Sequence, residues 1–165
     1  MISIPSRLPQ VGTTIFSVMS ALAREHQAIN LSQGFPDFAA DSRLLALVTE
    51  AMANGHNQYA PMTGDPTLRQ AIGHMVSRQY GATYDVDQEI TVVSGATEGL
   101  FCAVMALTQP GDEIIVLEPA YDSYLPGIEM AGAKAVRVPL RFPDYRIDWQ
   151  QVKDHLGPRT KALMI

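Results

Sequence analysis

One cysteine, Cys102, stands in a chain of 165 residues, so the chain can close no internal disulfide and build no thiolate cage for zinc. A reducing compartment is the expectation. Runs of positive charge are missing as well. With 12 Lys and Arg against 17 Asp and Glu the formal charge is -5, and no stretch gathers the cations that binding to a phosphate backbone requires. Nucleic acid is therefore excluded, and an anionic ligand needs a local site. No apolar run approaches the roughly 20 residues of a membrane helix. Met1 to Gln10, with two prolines and Arg7, lacks the apolar centre of a secretory leader. A soluble, cytoplasmic protein that touches no membrane is expected.

With 47% hydrophobic residues, the chain has the material for an ordinary core. Thr13 and Thr14 can cap a helix carrying Ile15, Met19, Leu22 and Ala23 at helical spacing and ending near Gln27. The run Gln33-Gly34-Phe35-Pro36-Asp37 is a loop, because Gly and Pro forbid regular structure there. Asp41 caps a second helix, Ser42 toward Asn54, with Leu44, Leu45, Val48, Ala51 and Met52 facing inward and Gly55 as its stop. A third has Asp65 at the cap, Pro66 at the first turn, a stripe of Leu68, Ile72, Met75 and Val76, and Gly81 beyond its end. Asn57 to Gly64 joins these two helices irregularly.

From Glu89 the period changes. Ile90-Thr91-Val92-Val93, Ile114 to Leu117, Ala135 to Val138 and Lys161 to Ile165 read as strands. Between them lie helices over Thr97 to Thr108 (on Leu100, Val104 and Leu107), Asp122 to Ala131, and Trp149 to Leu156 capped by Asp148. Apolar strands alternating with helices predict an α/β fold: a mostly parallel sheet covered on both faces. The chain stops on an apolar strand with no capping helix, and is read as the leading part of a longer protein.

Val93-Ser94-Gly95-Ala96-Thr97-Glu98 runs from strand through small residues into a helix, a junction whose free N–H groups and helix dipole suit a phosphate. It is neither a Gly-Lys-Ser/Thr phosphate loop nor a G-x-G-x-x-G turn. An ordinary turn capped by Thr97 reads equally well. Tyr121, after the next strand, could stack on a planar ring, but such a tyrosine is more often a boundary residue with a wet hydroxyl. Tyr59 is equally ambiguous. His26, His56, His74 and His155 lack metal or triad spacing and read as surface residues. Cys102 and Trp149 read as packing residues, and Lys134, Lys153 and Lys161 as solvated ones.

Five stretches occur together and in order: Gly12 to Phe16, Asn30 to Phe38, Asn57-Gln58-Tyr59 with Gly64, Ser94 to Glu98, and Glu118 to Tyr124. In this arrangement the chain resembles the class I/II aminotransferases, fold-type I enzymes that use pyridoxal phosphate. The resemblance implies a three-layer α/β/α large domain over 41–165, incomplete here, preceded by an N-terminal arm and substrate-side loop over 1–40. It implies that Gly95, Ala96 and Thr97 hold the cofactor phosphate, Ala96 and Thr97 through backbone N–H groups. Tyr121 would stack on the pyridine ring, and Tyr59 would reach the phosphate of a neighbouring subunit in a homodimer. Gly34 would offer its backbone to the substrate carboxylate, and Phe16 would wall the substrate side chain.

The family's Schiff-base lysine, the Asp that pairs with the pyridine nitrogen and the carboxylate-binding arginine fall after Ile165, so no catalytic residue and no metal ligand is assigned in this chain. Activity on methionine or aromatic amino acids with a 2-oxo acid is the reaction that the resemblance implies. A β-lyase on the same cofactor and a non-catalytic dimerising module are the alternatives.

Overall fold

The first three helices each start at a side-chain acceptor, and the second and third are followed by a left-handed glycine. In the computed structural model, which describes residues 5–34 and 36–165, α1 spans Ile15–Glu25 and its first turn is met by Thr14, whose Oγ1 accepts from the Ser17 N–H at 3.3 Å. Helix α2, Ser42–Ala53, begins at Asp41, whose carboxylate accepts from Arg43 N–H at 2.7 Å. Gly55, with φ +87°, turns the chain away beyond it. Helix α3, Pro66–Tyr80, has Asp65 accepting from Leu68 N–H at 3.0 Å and Gly81 in the left-handed conformation at its close. Phe35 of the expected loop and Met1 to Ile4 of the expected arm lie outside the described residues.

The chain divides into two compact units, Met19–Val93 and a second made of Met1–Val18 with Ser94–Ile165. The second unit contains a three-stranded parallel sheet of β1 (Glu113–Glu118), β2 (Lys134–Pro139) and β3 (Thr160–Met164), in the order β2-β1-β3. Helix α4, Ala96–Leu107, precedes β1; α5, Tyr124–Met130, and α6, Trp149–Asp154, make the crossovers. Strand β1 lies in the middle and is apolar on both sides. Its Ile114 and Val116 pack with Val104 of α4 and Ile128 of α5, while Ile115 and Leu117 pack with Val138 of β2 and Val152 of α6 on the other face. The period-two alternation of a strand divides one run of four apolar residues between two cores. This is the expected α/β/α layering.

Several sequence readings need correction. Ile90 to Val93 is not a strand: strands exist by pairing, and this run joins no ladder among the described residues. Its Val92 N–H instead donates to the carbonyl of Thr63 at 3.0 Å. The stripe expected to face inward on α2 is largely exposed, Leu44 at 56% and Leu45 at 55%, as is Ile15 of α1 at 60%, because no described element packs over them. Leu68 and Met75 of α3 and Leu107 of α4 are exposed for the same reason. Cys102 and Trp149 are exposed rather than packed. Helix α5 starts at Tyr124, two residues later than expected. The four histidines and the three lysines are exposed, as the sequence suggested.

Among the described residues of the Met19–Val93 unit, the buried polar residue is Arg69, whose Nη1 donates to the carbonyl of Val86 at 2.6 Å and meets Asp87 at 3.3 Å. Gly64, with φ +100°, is buried against Val92, and a Cβ there would lie 2.6 Å from the valine side chain. The end of the Tyr59 connection and the run before Ser94 are thus held together.

Candidate functional site

The turn before α4 is built on glycine. Gly95 occupies the N-cap position with φ +90° and ψ 165°, a conformation essentially closed to residues with a Cβ, and supplies no side-chain cap. Thr97 is therefore two residues inside the helix and is not the cap of an ordinary turn. Glu98 reaches back along the turn, its Oε2 accepting from the Ser94 N–H. Helix bonding resumes only at Gly99, whose N–H donates to the Gly95 carbonyl at 3.3 Å. The amides of Ala96 and Thr97 have no acceptor among the described residues, and both residues are exposed.

Free first-turn amides and the positive end of a 12-residue helix are chemically suited to an anion. A Cβ built at Gly95 would meet nothing within 4 Å, so no part of the chain crowds the turn. These features fit the phosphate of pyridoxal phosphate: backbone donors, open space, and an acidic side chain engaged elsewhere.

Tyr121 follows β1 at the carboxyl end of the parallel sheet, the end at which open α/β sheets bind their ligands. Its ring is 48% exposed and meets the ring of Tyr124 edge-on, centroids 5.9 Å apart and planes at 79°. Tyr124 is itself packed on the core of Val104, Ile114, Val116 and Ile128. The aromatic face at Tyr121 thus stands on a partner anchored in the fold. Between α4 and α5 runs an apolar groove of about 280 Å³, lined among others by Thr97, Phe101, Ser123, Tyr124 and Met130. The Ser123 Oγ is buried without a hydrogen-bond partner among the described residues. The groove has Thr97, in the first turn of α4, and Tyr124 in its lining.

The other expected site residues are placed singly. Tyr59 is fully exposed in the connection between α2 and α3. Gly34 is exposed, and a Cβ there would meet nothing within 4 Å. Phe16 is half-buried in the first turn of α1. Among the described residues no group of three or more His, Cys, Asp or Glu side chains could hold a metal. No helix of the described residues is long and apolar enough to cross a membrane.

Sequence reading missed Glu98's bond to Ser94, although an acid at the third position of a helix is a known capping signal. It also missed the Tyr121–Tyr124 contact and the burial of Arg69, for which no local signal exists.

The chain is similar to known proteins over most of its length. Residues 26–165 match the family Aminotransferase class I and II. Methionine aminotransferase of Escherichia coli K12 is 50% identical over 160 residues, covering 97% of this chain and 42% of that protein. A probable N-succinyldiaminopimelate aminotransferase of Mycobacterium tuberculosis is 45% identical over 163 residues, covering 97% of this chain and 41% of its own length. A crystal structure of an Escherichia coli protein with a methionine aminotransferase function superposes with a TM-score of 0.94 at 49% identity, over 99% of this chain and 43% of that one. The chain spans about two fifths of the length of these relatives. With its α/β/α layering, its glycine-built turn and these matches, the chain belongs to the class I and II aminotransferases.

Proposed function

We propose that the whole protein is a cytoplasmic, homodimeric aminotransferase that moves the amino group of methionine or an aromatic amino acid to a 2-oxo acid, and that this chain supplies much of its cofactor cradle. The observation that carries the reading is the turn at Gly95, with the unclaimed amides of Ala96 and Thr97 at the head of α4. Similarity over nearly the whole chain to a methionine aminotransferase supports the choice of substrate class. In this reading residues 1–40 are an arm and substrate-side loop, and residues 41–165 the first part of the large domain.

Pyridoxal phosphate, when bound, supplies an aldehyde that takes up the amino group and a ring that draws charge from the substrate's α-carbon. The chain's own part is to bind and orient. Ala96 and Thr97 donate N–H bonds to the phosphate, and the dipole of α4 favours its charge. Tyr121, which meets Tyr124 edge-on, would stack on the ring. Tyr59 serves the phosphate of the second subunit, Gly34 receives the substrate carboxylate through its backbone, and Phe16 shapes the wall for the substrate side chain. No lysine of the chain is assigned to proton transfer, since Lys134, Lys153 and Lys161 all face solvent.

Product analysis of the whole protein tests the reaction. Methionine should be converted to its 2-oxo acid only when an acceptor 2-oxo acid is present; release of ammonia and pyruvate from cystathionine without an acceptor would replace the transaminase reading with a β-lyase. Cofactor titration tests the cradle. Tyr121→Ala should weaken pyridoxal phosphate by roughly 1 to 3 kcal/mol through lost stacking and burial, and Tyr121→Phe should be nearly neutral. Unchanged affinity in Tyr121→Ala would remove this residue from the site.

A further inference from the structure

We infer that Glu98 is a positioning residue for the cofactor phosphate, a clasp that fixes the Gly95 turn and keeps the amides of Ala96 and Thr97 turned outward and unclaimed; the inference rests on the phosphate-cradle reading above. A carboxylate in the first turn of a helix gains from the dipole, yet it also repels an arriving phosphate. Its value to an anion site therefore depends on where it is directed. Here its Oε2 takes the N–H of Ser94, one residue before the N-cap, and not those of the residues that the phosphate would use.

The position of that bond matters because little else holds the turn. Gly95 has no side chain, its φ of +90° lies where only glycine is at ease, and nothing within 4 Å would meet a Cβ there. Ser94, Gly95, Ala96 and Thr97 are all exposed, so packing does not fix them. Among the described residues, the contacts that bridge the turn are the Glu98–Ser94 bond and the Gly99 N–H bond to the Gly95 carbonyl. Without the carboxyl group, Ser94 and Gly95 are free to sample other conformations, and the free amides no longer converge. Ordering them would then be charged to the phosphate.

The clasp requires an acceptor at the end of a three-atom reach, not a charge. This separates it from a purely electrostatic role and from a merely structural one. Apoprotein of the whole protein would be titrated at equilibrium with pyridoxal phosphate and, in parallel, with pyridoxal, which lacks the phosphate. Glu98→Ala should weaken pyridoxal phosphate roughly tenfold, the upper end of the net worth of one ordinary hydrogen bond, and leave pyridoxal unchanged. Glu98→Gln keeps the acceptor and should retain the wild-type preference for the phosphorylated form. Glu98→Asp, one methylene short, should behave like Ala and provides the same test if the Ala variant does not fold. Amide hydrogen exchange at Ser94 should be slow in wild type and Glu98→Gln and fast in Glu98→Asp.

Equal tightening in Glu98→Ala and Glu98→Gln would overturn the inference, because charge alone would then be acting. Equal loss of pyridoxal and pyridoxal phosphate would overturn it in favour of general destabilisation, and so would unchanged binding in both Glu98→Ala and Glu98→Asp. If wild type itself binds pyridoxal phosphate no better than pyridoxal, the phosphate cradle fails, whatever the variants do.

Discussion

Strand β1 and helix α2 are both apolar by sequence, and the fold treats them in opposite ways. Ile115 and Val116 of β1 are completely buried, on opposite faces of the sheet. Leu44, Leu45, Leu47, Val48 and Met52 of α2 are each about half exposed or more, although the helix is capped by Asp41 at one end and followed by a left-handed glycine at the other. The contrast separates two sources of order. Capping and propensity suffice to set where a helix begins and stops, whereas burial depends on what the chain brings over the apolar stripe. A periodic stripe is thus evidence of helix, and only indirectly evidence of core.

The contrast can be broken by truncating one residue from each side. Ile115→Ala should cost about 2 to 5 kcal/mol, from lost burial and a residual cavity, whereas Leu45→Ala should change stability by no more than about 0.5 kcal/mol. Urea denaturation of both variants measures the difference. A comparable loss at Leu45 would mean that the α2 stripe is covered in solution and that the two regions differ less than they do here.

A second pair tests backbone geometry in place of apolar area. Gly64→Ala adds a Cβ 2.6 Å from the Val92 side chain at φ +100°, so it should cost more than the roughly 1 to 3 kcal/mol of the strained conformation alone. Gly95→Ala carries the conformational part without the collision. Its loss of stability should therefore be the smaller of the two in thermal denaturation, and an equal loss would mean that Val92 gives way.

Asp65→Ala removes the cap of α3 and should cost about 1 kcal/mol. Arg146→Ala, at an ion pair whose arginine side chain is 86% exposed, should be silent within about 0.5 kcal/mol in the same assay. A large effect at Arg146 together with none at Asp65 would reverse the order in which local signals matter in this chain.

Much of the fold was legible because its determinants are local. Asp41, Asp65 and Asp148 cap the helices they were expected to cap, and the four apolar residues of β1 mark a central strand. The expected strand at Ile90 to Val93 was misread because β-branched composition states a preference, and pairing requires a second strand. Trp149 and Cys102 were misread because size and hydrophobicity do not say which side of a helix is covered. At the candidate site, the glycine turn was visible in the run Ser94 to Glu98, while the edge-on support of Tyr121 by Tyr124 was not. Three residues apart in a turn, two rings meet or miss according to side-chain torsions that no pattern encodes.

Among the described residues, the amino ends of the strands carry more ties than the carboxyl ends. Gly111 N–H donates to the Gly132 carbonyl at 2.9 Å, Lys134 N–H to Asp112 at 2.8 Å and Glu113 N–H to Arg159 at 2.8 Å. Arg159 pairs with Glu113 and Lys161 with Asp112 at the same end. At the other end, Leu140 N–H bonds the Glu118 carbonyl and Arg137 pairs with Glu118, while Tyr121 remains half exposed. The consequence is a division within a single sheet: one rim is fastened, and the other is left freer to vary. Loops on the freer rim can be rewritten at little cost to folding.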